Sequence, residues 1–184
     1  MKTLGLIAAT LLFLALSVLV VAWPDLETLR QNRNWNVTQS DQPKGELRGV
    51  RVFVDQARAM IMPVAPDRAI VYLRLGLQSD GPPLRDWLSC DIGLIDGAGR
   101  RWLPLANMAG TQIVKVLGDA GASGRNCDQS LSLAPEEGGP SFSELAFLIP
   151  SDLLDQLRLE ISAMKTRPEA LSLPFRPTLT LPPA

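Results

Sequence analysis

Cys90 sits near the start of SCDIGLIDGAGRRW (residues 89–102), and Cys127 is the one other thiol in the chain. A nucleophilic cysteine needs a thiolate, and therefore a cation or a base beside it. The usual base is histidine, and this sequence contains none. That excludes a His-dependent Ser or Cys triad and the common His-containing zinc and copper sites. Asp91 and Asp128 adjoin the two cysteines in sequence, and their charge opposes thiolate formation. Arg125, two residues before Cys127, would favour it and keeps redox chemistry open. No Cys-x-x-Cys occurs.

Other side chains offer weaker chemistry. Met60-Ile61-Met62 presents two thioethers that could hold Cu(I), although methionine also fills gaps in cores. Asp86, Asp91, Asp96, Asp128, Glu136 and Glu137 could supply a carboxylate pair or a calcium site. No EF-hand spacing supports that reading. Asp96 reads more simply as a turn residue and Glu136-Glu137 as a solvated loop. No residue is assigned as catalytic or as a metal ligand, and no cofactor is expected. Arg100, Arg101 and Trp102, with Arg85 and Trp87 nearby, have the composition of an interface hot spot. Asp96, Arg100, Arg101 and Trp102, together with the loop 106–126, form the candidate binding surface; the alternative is a core Trp flanked by solvated charges.

The elements that must position these residues can be read from composition and period. The chain has 184 residues, with 18 Lys plus Arg against 19 Asp plus Glu, a net charge of −1. Nothing in that balance recruits nucleic acid. Fifteen prolines and fourteen glycines punctuate short segments, as in β-structure.

Leu4 to Ala22 is an uncharged apolar run ahead of Trp23 and Pro24. As a helix it would extend about 28 Å, close to the hydrocarbon thickness of a bilayer. Residues 1–23 are therefore expected to be one N-terminal transmembrane helix, a retained signal anchor, or else a cleaved signal peptide. The expected location is the bacterial inner membrane, single-pass, with the soluble domain in the periplasm or outside the cell. There, two cysteines usually pair. A Cys90–Cys127 disulfide would close a loop of about 38 residues and contribute roughly 4 kcal/mol in the chain-entropy view.

Residues 24–45 read as a polar stalk with a short helix; Asn36-Val37-Thr38 within it fits the glycosylation acceptor pattern. Alternation follows. Val50, Val52 and Val54 share one side. Val71, Leu73, Leu75 and Leu77 share another, opposite Tyr72, Arg74 and Gln78. Asp91–Ile95 and Arg101–Leu105 read as a hairpin around Asp96-Gly97-Ala98-Gly99. SFSELAFLIP and LRLEIS give two more strands, with a helical turn between them. Gln112–Leu117 is expected as a strand, followed by a long Gly-rich loop. The Pro-rich residues 166–184 are expected as an edge strand or tail. About seven short strands point to an antiparallel β-sandwich.

Leu94, Asp96, Gly99 and Arg100 match a Leu-x-Asp-x-x-Gly-Arg hairpin, and Phe147 and Pro150 match a late Phe-x-x-Pro strand. On these features, over about residues 46–165, the chain resembles bacterial cell-envelope immunoglobulin-like domains of unassigned function. The resemblance implies an immunoglobulin-like sandwich at the envelope and supplies no catalytic residue. The function expected is a noncatalytic accessory or binding module meeting an envelope protein or wall component. A copper carrier or a non-His envelope enzyme is the alternative.

Overall fold

The computed structural model describes residues 11–14, 16, 17, 20, 34, 36–79, 84, 87, 89–106, 108–135 and 138–180. Its strands are β1 (Asn36–Gln39), β2 (Lys44–Leu47), β3 (Val50–Met62), β4 (Ala65–Ser79), β5 (Asp91–Ile95), β6 (Arg101–Trp102), β7 (Ser141–Pro150), β8 (Arg158–Ser162), β9 (Glu169–Pro174) and β10 (Thr178–Leu179). Two helices, α1 (Met108–Leu117) and α2 (Cys127–Ser132), separate β6 from β7. One sheet has the order β1-β9-β8-β5-β6. The other has the order β10-β3-β4-β7, with β2 sharing the outer edge of β3. They pack face to face in a sandwich-like core.

The long β3–β4 hairpin forms the spine. Val52 stands opposite Leu77, and Val54 opposite Leu75. A bulge at Asp55 then shifts the register, so that Ala57 and Ala59 face Leu73 and Val71. Without that extra residue the inward set would flip to the outer face. From the other sheet, Leu94, Leu159, Ile161, Leu171 and Leu173 complete the same buried cluster.

The outer face of β4 is covered as well. Ile70, Tyr72 and Ala146 form a second apolar cluster with Val114 and Leu117 of α1. Helix α1 is thus a third layer, and residues 112–117 are helical where a strand was expected. Its C-terminal end is held to β3: the Arg58 guanidinium donates to Leu117 O (2.8 Å) and to Asp119 (2.5 Å). Residues 127–132, read as loop, are helical because Asn126 and Gln129 form a reciprocal capping box.

The two sheets are mixed rather than purely antiparallel. β1 runs parallel to β9, and β10 runs parallel to β3. The Pro-rich segment contributes an interior strand, since β9 lies between β1 and β8. Pro168 and Pro174 stand at or beyond its ends, so the ladder through Ala170–Leu173 keeps its donors. The polar stalk likewise ends early, because β1 and β2 are sheet strands.

The expected transmembrane helix over Leu4–Ala22 is overturned. Among the described residues no helix is long and apolar enough to cross a membrane. A span needs about 20 residues in one continuous helix, whatever the composition of the run. Residues 11–14, 16, 17 and 20 are helical. The rest of that run, Trp23 and the following PDLETLRQNR lie outside the described residues.

Candidate binding cleft

Cys90 and Cys127 are joined by a disulfide, Cα to Cα 6.0 Å. Cys127 is the first residue of α2, where the Asn126 cap holds it. Asp128 accepts a hydrogen bond from the Cys90 backbone N–H (2.9 Å). Asp128 and the bridge therefore fix the start of β5 to α2 at two points. Trp87 and Cys127 belong to the main buried cluster, with Cys90 packed against it.

The bridge lies in the wall of an open cleft of about 550 Å³. The cleft runs where the edge strands β6 and β7 of the two sheets meet, beneath the first turns of α1. Ile92, Leu105, Val114 and Leu145 give it an apolar lining, and Asn126, Asp128 and Gln129 a polar wall. Leu103, 63% exposed, stands at its mouth. Leu105 N–H donates to Ala146 O (2.7 Å), which stitches the β6 side to β7.

Glu144 of β7 organises the far wall. It is buried at 8% exposure. One of its oxygens accepts from Ser123 N–H (2.6 Å), Gly124 N–H (2.7 Å) and the Ser123 hydroxyl (3.1 Å). The other accepts from the Tyr72 hydroxyl (3.2 Å). A single carboxylate thus pins the Gly-rich loop after α1 onto the sheet. Burial, with the Glu144 charge beside it, pushes the Tyr72 hydroxyl well above the ordinary tyrosine range.

Of the hairpin residues, Asp96, Arg100 and Trp102 stay together and Arg101 departs. Asp96 turns inward: its carboxylate accepts from Ala98 N–H (3.0 Å), Arg100 N–H (2.8 Å) and Arg100 Nε (2.7 Å). Burial raises its pKa, but the Arg100 side chain and these N–H groups outweigh burial and leave it below the ordinary value. Asp96 is a turn-builder, and Gly99 supplies the positive φ (79°) the turn needs. Arg101 runs back over Gly93, where a Cβ would collide with it. Its guanidinium meets Asp91 (2.5 Å), which Arg167 also reaches (3.1 Å). Arg100 and Trp102 remain together, the guanidinium 5.7 Å from the ring centre, with Trp102 half-buried against the core. Asp96, Arg100 and Trp102 are thus linked in one series of contacts, while Arg101 turns to Asp91. Leu103, which sequence reasoning passed over, is the exposed apolar residue beside the cleft; its only signal was an apolar residue breaking alternation after Trp102.

Met60 and Met62 pack against the cluster beneath α1. Among the described residues no group of three or more His, Cys, Asp or Glu is placed to hold a metal. Asp86, Glu136, Glu137 and Arg85 lie outside the described residues.

No protein-family model matches the chain, and no curated protein does. Two solved structures resemble it. One is a candidate lipoprotein from Staphylococcus aureus, 4% identical, TM-score 0.45, covering 79% of this chain and 97% of that one. The other is a protein of unknown function from Listeria monocytogenes, 9% identical, TM-score 0.43, covering 73% of this chain and 82% of that one. Likenesses this distant leave the functional reading to the chain's own geometry.

Proposed function

We propose that this chain is a noncatalytic binding module of the cell envelope and that its contact site is the cleft beside the disulfide. The disulfide supports an oxidising compartment, because such bridges persist outside the reducing cytosol. The observation that carries the reading is the cleft itself: an apolar lining, a polar wall, and sides fixed by the Cys90–Cys127 bridge. Preformed concavities of this kind recognise ligands with little reorganisation. Its acids already have structural duties. Asp91 is held by two arginines, Asp128 by Cys90 N–H, and Glu144 by four donors. Groups bound in this way hold the walls of the cleft in place.

The test is a photo-crosslinking side chain at Leu103, compared with one at Val64. Val64 is 88% exposed at the tip of the β3–β4 hairpin. In cells expressing the chain, adducts are expected at position 103 and not at 64. Equal labelling at both positions, or none at 103, would remove the cleft as the contact site.

A further inference from the structure

The cleft offers a ligand hydrogen bonds and apolar surface rather than charge, and this deepens the reading above, on which it rests. Asp91 is paired with Arg101 and Arg167. Glu144 is buried, its oxygens accept from four donors, and Arg74 is its cross-strand neighbour. Asp128 is exposed, so water weakens its field. A charged ligand would give up its hydration here without gaining a buried counter-ion. The β7 edge is closed to an added strand as well: Leu105 N–H donates to Ala146 O (2.7 Å), and Glu144 N–H donates to Arg125 O (2.8 Å). With that edge taken, a cleft of about 550 Å³ suits a small molecule rather than a peptide.

The polar wall is ordered by the capping box. Asn126 Oδ1 accepts from Gln129 N–H (2.9 Å), and Gln129 Oε1 accepts from Asn126 N–H (3.2 Å). With both carboxamide oxygens held by the backbone, each side-chain NH2 is turned away from the cap. Neither NH2 has a partner among the described residues, and both residues line the cleft. Asp128 accepts from Cys90 N–H through one oxygen; its other oxygen has no partner among the described residues. The wall therefore presents two fixed donors and one acceptor. We infer that the cleft takes a small uncharged amphiphile. Its apolar chain lies against Ile92, Leu105, Val114 and Leu145. Its head, an amide or an alcohol, accepts from the Asn126 and Gln129 NH2 groups and donates to Asp128. Donors already held in place cost little ordering when such a head arrives.

Octanamide, octanoate and octylammonium share one chain and differ in head charge at neutral pH. Each is titrated into the full chain while the methyl resonances of Ile92, Leu105, Val114 and Leu145 are followed. Octanamide is expected to move these methyls and to bind at least about fivefold tighter than either ion. Hexanamide, with a shorter chain, should bind at least about tenfold more weakly than octanamide. Asn126→Asp and Gln129→Glu each keep the oxygen that the cap needs and remove one NH2. Each should weaken octanamide about three- to fivefold while leaving the amide spectrum of the fold unchanged. An ion that binds as tightly as octanamide overturns the preference for an uncharged head and leaves the cleft reading intact. Equal affinity of hexanamide and octanamide overturns the apolar seat of the chain. Unchanged octanamide affinity in both variants overturns the assignment of the head to that wall. If no probe moves the methyls, this inference falls, and the crosslink at Leu103 decides the cleft reading separately: an adduct there keeps it, and none removes it.

Discussion

At the scale of single residues, much of this molecule's behaviour is concentrated in a few polar contacts that sequence alone did not reveal. Tyr72 is the only tyrosine in the chain. It is buried against α1 with its hydroxyl on Glu144. Its pKa is raised in the fold, so its contribution to stability is complete below the unfolded value of about 10. That contribution is lost as pH climbs from there towards the folded value, because the unfolded chain releases the proton first. Tyrosinate absorbance is therefore expected to appear together with loss of near-ultraviolet circular dichroism above about pH 10. Tyr72→Phe should move unfolding to higher pH. Ionisation well before unfolding would contradict the buried Tyr72–Glu144 pair. The two cysteines allow a second test. Cys90→Ser and Cys127→Ser should each lower stability by about 4 kcal/mol, and the double variant should be little worse. Urea denaturation with additive losses would mean that the bridge is not the shared cause.

At the scale of elements, strands whose side chains alternate in sequence were legible and elements held by tertiary contact were not. β4, β7 and β8 announce themselves through alternation, and their registers follow it. β3 alternates only to Val54, because the bulge at Asp55 changes the parity. The β5–β6 hairpin was visible through Asp96 and Gly99. Helix α1 was hidden: its segment TQIVKVL is rich in β-branched residues, which favours a strand locally. Packing of Val114 and Leu117 on Tyr72 and Ile70 decides otherwise. Of the candidate site, the disulfide was readable from the cysteine count and the expected compartment. The cleft was not, because it exists only where α1, α2 and the β6 edge converge. The layers predict different responses to the same insult. Leu73→Asp places a charge between the sheets and should abolish folding. Val114→Asp should instead detach α1, sparing the sandwich. Hydrogen exchange checks this: protection should vanish from residues 108–117 and survive in β4 and β8. Global loss of protection in Val114→Asp would show that α1 is part of the core.

At the scale of the whole molecule, the first and last described strands are built into the two sheets. β9 joins β1 to β8, and β10 lies along β3 beside β2. A domain bounded at residues 46–165 lacks β1, β9 and β10, cuts β2, and leaves β8 an open edge, with Leu159 and Ile161 deprived of their cross-strand neighbours Leu173 and Leu171. That fragment should fail to give dispersed amide resonances and should be degraded quickly by trypsin, whereas a chain ending at residue 180 should resist. A stable 46–165 fragment would show that β9 is an accessory to the sandwich.

The placement of β9 also bears on how the protein is made. A ribosome adds about 5–20 residues per second. β1 is therefore synthesised on the order of ten seconds before the strand it lies against. Until then one edge of β8 has no partner. The first sheet is complete only once residue 174 has been made, so its exposed intermediates are a matter for the holding machinery of whichever compartment receives the chain. Oxidation of Cys90 and Cys127, both synthesised before β9, can come first and shorten that vulnerable interval.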